Sequence, residues 1–460
     1  MNSLLLNLLL LSLFSHFSCF LVLVPVEAEV FLSIDCGSSS LKPYTDDNSI
    51  VWVGDDPYIR SGETHKVMID APDVEAWDSR VMSSLRAFPT RKKNCYSIDI
   101  DKKAQDSTTV ERVLVRASFY YGNYDNKLNP PTFNLQFNGN SWSQIITDQD
   151  DIIYTEMIYS LNNGNNINIC LAQTEPDNIP FISALEVRSV DRSSYHYVDS
   201  TYPLFFFERI AFGANTTIRY PEDTYDRIWG PVDTNSRVRS NSLYRNVNID
   251  DAKTLEGLSS ELTQLIEVKK SNTSSPPVYM SPKNFDNPPK VLRETHLSSF
   301  GNMAHTGVSD PKVPVHYNAF FAEVHRLNAT QKRSFYILVN NKLHTSIRPK
   351  GAVIPPHRGD IDEVHIFNVT SSATNSSYSI DFVPTNDSTL PPLINALEGY
   401  TIGDKLVQGT NSDDVNSLSL LQKSFVQLRD WNGDPCLPSP YTWDWVACNA
   451  DADSPRITAL

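Results

Sequence analysis

The sequence predicts an all-β chain built as two tandem β-sandwiches, followed by a short helix and a small cysteine-bearing terminal unit. Three observations carry that expectation. Stretches of alternating apolar and polar residues, rich in branched and aromatic side chains, recur between loops of Gly, Asn and Pro. A motif at residue 181 returns at residue 393, a spacing of about 210 residues that fits two copies of one domain rather than a solenoid. Late in the chain the texture changes to one helical run and a Trp- and Cys-bearing stretch.

The first element is a leader. The chain is apolar from Leu4 to Val24 and then reads Val26-Glu27-Ala28, a small-x-small site suited to signal peptidase. Residues 1–28 are therefore read as a cleaved signal peptide, which places the protein outside the cell or on its surface. The run also has the length of an uncleaved anchor, since roughly 20 apolar residues span a bilayer, and only Asn2 stands where a positive residue is usual. Removing 28 residues from 460 leaves 432, enough for two or three domains with their own cores. The formal charge of −15 becomes −14 without Glu27. So acidic a surface repels phosphate backbones and anionic membranes, and nucleic acid is not expected as a partner.

The first sandwich is assigned to residues 29–203. Val110 to Tyr121 and Thr132 to Phe137 alternate apolar and polar residues, with the turn-rich GNYDNKLNPP between them. Half-buried strands need one apolar face, and two sheets placed face to face supply it. The second sandwich is assigned to 204–403 from the repeat. Phe181-Ile-Ser-Ala-Leu-Glu186 reappears as Leu393-Ile-Asn-Ala-Leu-Glu398, and Ile169 to Thr174 corresponds to Ile380 to Thr385. Two runs have helical spacing: Thr254 to Glu267, and Val415 to Trp431 with Leu418, Leu421, Phe425 and Leu428 on one face. Asp413 or Asp414 is the expected N-cap of the second.

Beyond the leader's Cys19 there are five cysteines, too few for a disulfide-dense scaffold and an odd number. The expected pairs are Cys436 with Cys448 and Cys36 with Cys95, leaving Cys170 as a buried free thiol. No pair has CxxC spacing, so no thiol metal site is expected. Six Asn-x-Ser/Thr sequons occur, at Asn215, Asn272, Asn328, Asn368, Asn375 and Asn386. Their absence before residue 215 suggests glycans over the second half and a bare first half.

Asp430-Trp-Asn-Gly-Asp-Pro-Cys436, continuing through Tyr441 to Cys448, resembles the N-terminal cap of plant extracellular leucine-rich repeats, and Arg456 to Leu460 resembles the first repeat it would cover. The body resembles the malectin-like ectodomains of plant leucine-rich-repeat receptor kinases. The matching residues are Ile34 to Gly37, Arg86 to Pro89, Asn94 to Tyr96, Tyr121 to Asp125 and Pro180 to Glu186 in the first copy. In the second they are Tyr225 to Trp229, Phe321 to Val324 and Pro392 to Glu398. The resemblance implies two tandem malectin-like, jelly-roll-like β-sandwich domains, then a helix and a leucine-rich-repeat N-terminal cap over 404–460. Residues 250–312, including Gly301 to Gly307, depart from the pattern and are read as an insertion or a coding-sequence error.

Animal malectin, which the single domain resembles, binds a glucose disaccharide through loop aromatics and a carboxylate. Its aromatic pair matches Tyr120 and Tyr121, with Tyr124 and Asp125 following; the second copy has His325 and Arg326 instead. These four first-copy residues are the expected carbohydrate site, because aromatic faces pack on sugar C–H groups and carboxylates accept from hydroxyls.

Catalytic motifs are missing: no GxSxG, HExxH or P-loop occurs. Asp430, Asn432 and Asp434 start like an EF-hand, but Tyr441 stands where its bidentate Glu belongs. Asp148, Asp150 and Asp151 offer half of a glycosidase carboxylate pair, although acids clustered in a turn ordinarily form a solvated loop. No enzyme activity, cofactor or metal is expected. The resemblance implies an extracellular receptor-type binding module that senses a cell-wall oligosaccharide or a secreted peptide at the plant cell surface, with a co-receptor kinase as a further partner. The rivals are a wall-associated carbohydrate-active enzyme, a structural wall protein, and a shortened form of a full receptor kinase.

Overall fold

A computed structural model describes residues 30–38, 42–68, 79–100, 112–161, 166–190, 195, 198–212, 216–231, 238–240, 247–250, 302–306, 315–323, 327–339, 342–343, 352–356, 362–369, 377–390, 392–449 and 454–460. In chain order the first half carries β1 (Phe31–Asp35), β2 (Tyr44–Thr45), β3 (Val51–Gly54), β4 (Glu63–Lys66), helix α1 (Ser79–Met82), β5 (Ser84–Ala87) and β6 (Lys93–Asp99). It continues with β7 (Arg112–Phe119), β8 (Thr132–Phe137), β9 (Asn140–Ile146), β10 (Ile152–Ser160), β11 (Asn166–Gln173), β12 (Phe181–Ile182) and β13 (Ala184–Val190). The second half carries β14 (Leu204–Ala211), β15 (Gly230–Pro231), β16 (Val238–Ser240), β17 (Val247–Asp250), β18 (Asn302–Thr306) and β19 (Val315–Phe321). After these come β20 (Phe335–Val339), β21 (Lys342–Leu343), β22 (Ala352–Val353), β23 (Asp362–Val369), β24 (Ser377–Pro384) and β25 (Ala396–Ile402). Helix α2 (Ser412–Ser424), a 3-10 turn at Val426–Leu428 and the hairpin β26 (Ala447–Cys448) and β27 (Ile457–Ala459) close the chain. The fold is mostly β, as the alternating patterns require.

One sheet runs through both halves in the order β2-β3-β1-β13-β7-β10-β14-β25-β19-β23. The join is short: Met157 pairs with Phe205 and Ile158 with Leu204. Behind the first half lies the sheet β6-β11-β8-β9, and behind the second the sheet β17-β18-β24-β20-β21. The repeated motif occupies matching places, since β13 lies between β1 and β7 as β25 lies between β14 and β19.

Between the first-half sheets Phe119, Phe133 and Phe181 meet edge to face. Between the second-half sheets Phe321, Phe335 and Phe382 do the same. Such contacts add to the roughly 1.5–3 kcal/mol gained by burying each large apolar side chain.

The alternation of β7 has an outcome the sequence did not show. All eight of its residues are buried. Val113, Val115, Ala117 and Phe119 enter the main core, while Arg112 and Arg116 on the other face are covered too. The expected half-buried strand instead separates an apolar face from a buried charged one.

Three further expectations are corrected. The disulfide in the first half joins Cys95 to Cys170, and Cys36 is the buried free thiol. The reason is register: β6 and β11 are adjacent antiparallel strands with Cys95 directly opposite Cys170. Cys36 follows β1, and the Asn94-Cys-Tyr96 strand is not its neighbour in a ladder. A second disulfide closes Cys436 to Cys448. Helix α2 is capped by Asn411, whose side chain accepts from the Asp413 amide; Asp413 and Asp414 sit in its first turn, where the helix dipole favours them. The helix ends at Ser424, so Phe425 is extended and half exposed rather than part of the packed face. Leu418 is buried with Trp443 and Val446, and Leu421 packs against them. The helical run at 254–267, with His325 and Arg326, lies outside the described residues. No described helix is long and apolar enough to cross a membrane.

Candidate functional site

The expected sugar loop follows β7 directly. Its turn needs Gly122, whose φ is +45° and where a Cβ would come within 2.1 Å of Val67. The turn folds the aromatics inward: Tyr120 is 5% and Tyr121 0% exposed. The Tyr121 hydroxyl donates to Asp125 Oδ1 at 2.5 Å and accepts from the Asn129 amide at 3.3 Å. Burial, then the Asp125 carboxylate, raises the Tyr121 phenol above its ordinary range. Tyr124 packs against His65, Phe181 and Tyr121 at centroid distances of 4.9, 5.6 and 5.6 Å. Among the described residues its buried hydroxyl has no hydrogen-bond partner.

The structure thus brings Tyr121, Tyr124 and Asp125 together, with the Tyr121 hydroxyl and the Asp125 carboxylate bonded to each other within the loop. Neither Tyr120 nor Tyr121 offers a ring face to a sugar, which corrects the stacking role read from the sequence. Asp148 closes a turn by accepting from the amides of Asp150 and Asp151, so these acids cap a loop.

The most heavily charged part of the interior went unnoticed in the sequence. Ion pairs link five guanidinium groups (Arg116, Arg188, Arg209, Arg219, Arg227) with five carboxylates (Glu156, Glu186, Asp223, Asp226, Glu398), none more than 3% exposed. The ladders set it up: Glu186 lies opposite Arg116, Arg116 opposite Glu156, and Arg209 opposite Glu398. The Arg219–Trp229 loop of the second half lays Asp226 over the first-half face, where it accepts from Arg188 and Arg219 at 2.6 Å each. Burial alone would raise Asp226, but Arg219, Arg188 and Arg116 hold it well below the usual carboxylate range. Burial likewise raises Glu398, and Arg209 and Arg227 more than reverse it. Each charge is affordable here only because it is paired and hydrogen-bonded. Glu186 and Glu398 are the last residues of the two copies of the repeated motif, the one sequence signal that led here.

The C-terminal segment turns back onto the first half. Lys93 Nζ donates to the carbonyls of Asp434 and Leu437 at 2.7 and 3.0 Å. Arg91 donates to the Asp430 carbonyl at 3.0 Å and lies over the Trp431 ring. Gly433, at φ +78°, presses on the Cys95–Cys170 disulfide, and a Cβ there would sit 2.6 Å from the Cys95 sulfur. Asp434, the EF-hand-like acid, spends its oxygens on the amides of Thr410, Cys436 and Leu437. Among the described residues no group of three His, Cys, Asp or Glu side chains is placed to hold a metal. A cleft of about 650 Å³ opens between α2 and the first half, lined by Tyr58, Arg60, Asp99, Asn166, Lys423 and Arg429 among others.

Of the six sequons, Asn328 and Asn386 are exposed in neighbouring turns, where Lys332 pairs with Asp387. Asn368 lies on β23. Asn215, Asn272 and Asn375 lie outside the described residues.

Comparison with known proteins places these features in context. A family model for the malectin-like domain matches residues 34–402. A probable LRR receptor-like serine/threonine-protein kinase of Arabidopsis thaliana is 30% identical over 438 residues, which is 94% of this chain and 45% of that protein. The chain thus spans about half the length of the curated relatives it matches. Among solved structures, the ANX1 ectodomain from Arabidopsis thaliana superposes with a TM-score of 0.58 at 14% identity, over 81% of this chain and 96% of that one. A complex of the plant peptide RALF23 with FER and LLG2 contains a chain that superposes with a TM-score of 0.55 at 15% identity, over 81% and 95%.

Proposed function

The chain belongs to the malectin-like domain family, and on that premise we propose that it is the extracellular binding module of a plant receptor, sensing a secreted peptide together with a co-receptor. Residues 29–203 and 204–403 are its two tandem malectin-like domains, and 404–460 form a leucine-rich-repeat N-terminal cap. The signal at 1–28 exports it, and the sequons carry glycans, mainly on the second half. The module itself catalyses nothing.

The observation that carries the reading is the likeness to a chain of the complex of the plant peptide RALF23 with FER and LLG2, within a family whose relatives include receptor-like kinases. The matching places of β13 and β25 support the tandem division. The Cys436–Cys448 disulfide and the Trp431, Trp443 and Trp445 cluster support the cap. Burial of Tyr120 and Tyr121 weighs against a wall oligosaccharide as the ligand. The test is binding of the secreted chain to a panel of secreted plant peptides and wall oligosaccharides. Saturable peptide binding is expected. Saturable binding to oligosaccharides alone, or turnover of a wall polysaccharide, overturns the proposal.

A further inference from the structure

The cleft beside α2 is chemically unlike the rest of the molecule. The chain as a whole carries a formal charge of −15, yet among the described residues this cleft is lined by Arg60, Lys423 and Arg429 against the single carboxylate of Asp99. None of the three cations is ion-paired among the described residues; Arg429 makes only a hydrogen bond, to the Lys423 carbonyl at 3.1 Å. The contrast with the interior is sharp, where five guanidinium groups all have carboxylate partners. Surface cations are ordinarily scattered and solvated. Here three converge from two separate segments, the loop between β3 and β4 and the end of α2 with the turn after it, on a space of about 650 Å³. That volume is in the range of about 300–1,000 Å³ that takes a small ligand or a short stretch of chain.

The remaining lining says what kind of chain. Asn432 and Asn166 bring amide side chains, Asn166 with its oxygen shared with the Ser97 hydroxyl, and Gln422, whose amide nitrogen donates to the Leu428 and Trp431 carbonyls, brings its side-chain oxygen as an acceptor for a peptide N–H. The wall is also held in place, because β6, which brings Ser97 and Asp99, is tied to the Tyr58 carbonyl through the Ser97 amide at 2.9 Å. Among the described residues the only aromatic on the wall is Tyr58, which is half-buried, so they supply no pair of stacked ring faces of the kind a sugar needs. Carboxylates are the natural partners of Arg and Lys at such a wall.

We infer that this cleft is a binding site for an acidic peptide segment, held by Arg60, Lys423 and Arg429 through its carboxylates and by Gln422, Asn432 and Asn166 through its backbone. The inference rests on the peptide-sensing reading and gives it a location and a charge. The site is a joint one: one part of its wall comes from the first half of the chain and the other from the C-terminal segment. A peptide seated there would bear on both, so its binding would strengthen the docking of one on the other.

The test uses the full secreted chain and fluorescein-labelled hexaglutamate, followed by anisotropy, with hexalysine and trigalacturonate as comparisons. Hexaglutamate is expected to bind saturably, to weaken as salt rises, and to lose at least about tenfold in affinity in K423E/R429E. Both side chains are exposed, so the melting temperature should be unchanged, and R60E on the opposite wall should give the same loss with a different segment altered. Absence of hexaglutamate binding, binding unaffected by either variant, or a preference for trigalacturonate overturns the assignment. The wider reading fails separately. If the secreted-peptide panel still binds and K423E/R429E leaves it untouched, the cleft is refuted and peptide sensing stands; if no secreted peptide binds at all, peptide sensing itself falls.

Discussion

Replacing Arg209 by Met removes a guanidinium that reaches carboxylates on both sides of the join between the two halves. Its Nη1 donates to Glu156 of β10 at 3.0 Å and its Nε to Glu398 of β25 at 3.0 Å, with the Tyr400 hydroxyl a further partner at 2.9 Å. Met fills nearly the same length with no donor. Glu156 keeps Arg116 at 2.7 Å, whereas the nearest remaining cation to Glu398 is Arg227 at 3.9 Å. The cluster changes from five cations and five anions to four and five, and the uncompensated charge is fully enclosed. Breaking a buried pair from one side costs about 3–5 kcal/mol, and that is the expected loss. Urea unfolding followed by tryptophan emission reads it, aided by Trp229, whose ring centre lies 5.4 Å from the Arg209 guanidinium carbon. A second substitution, Glu398→Gln, should return at least 1 kcal/mol of that loss by neutralising the stranded carboxylate, roughly the scale of coupling between contacting groups. A loss below about 1 kcal/mol for Arg209→Met, or no recovery in the double variant, would refute the view that pairing is what makes this interior tolerable.

Three other outcomes follow from the same geometry. Gly433→Ala places a Cβ at φ +78° against the Cys95–Cys170 sulfurs, at about 1–2 kcal/mol of backbone strain before any clash, and should expose 404–430 to limited proteolysis; an unchanged digestion pattern would show that the contact is not needed for docking. Asp35, raised by burial from 3.8 to about 6 although Tyr44 and Ser84 donate to it, binds its proton more tightly folded than unfolded. Stability should therefore rise as pH falls from 6 towards 4, by about 3 kcal/mol from this group, and the slope should flatten in Asp35→Asn. Peptide mapping without reduction should recover 95–170 and 436–448 as linked pairs, with Cys36 alkylated only after unfolding; a 36–95 linkage would contradict the fold.

The elements legible in the sequence were those set by local chemistry. Thr132 to Phe137 is a strand with the expected bounds, and the turn-rich segment before it is a loop. The repeated hexapeptide marked two central strands because an apolar stretch ending in an acid is a distinctive pattern. What stayed hidden depends on partners distant along the chain. Arg116 meets Asp226 from 110 residues away, and nothing in the β7 pattern says that its polar face will be roofed over. The cysteine pairing failed for the same reason: Cys95 and Cys170 are 75 residues apart, and only strand order makes them opposite. The Tyr120 and Tyr121 pair ends a strand, where a sequence cannot tell a ring turned to the core from one turned to solvent. The cleft beside α2 joins residues from opposite ends of the chain, so no motif could have announced it.

The return of the last segment to the first half also fixes how the molecule would answer a pull. Tension applied between Val30 and Leu460 runs through the bonds that Lys93, Arg91 and Asn134 make to residues 430–441, not along the strands from Leu204 to Ile402. The second half hangs beside the line of force, slack, while those bonds hold. A pull on the two ends therefore loads the docking contact ahead of residues 204–403, so the C-terminal segment shields the second half from tension for as long as it stays seated on the first.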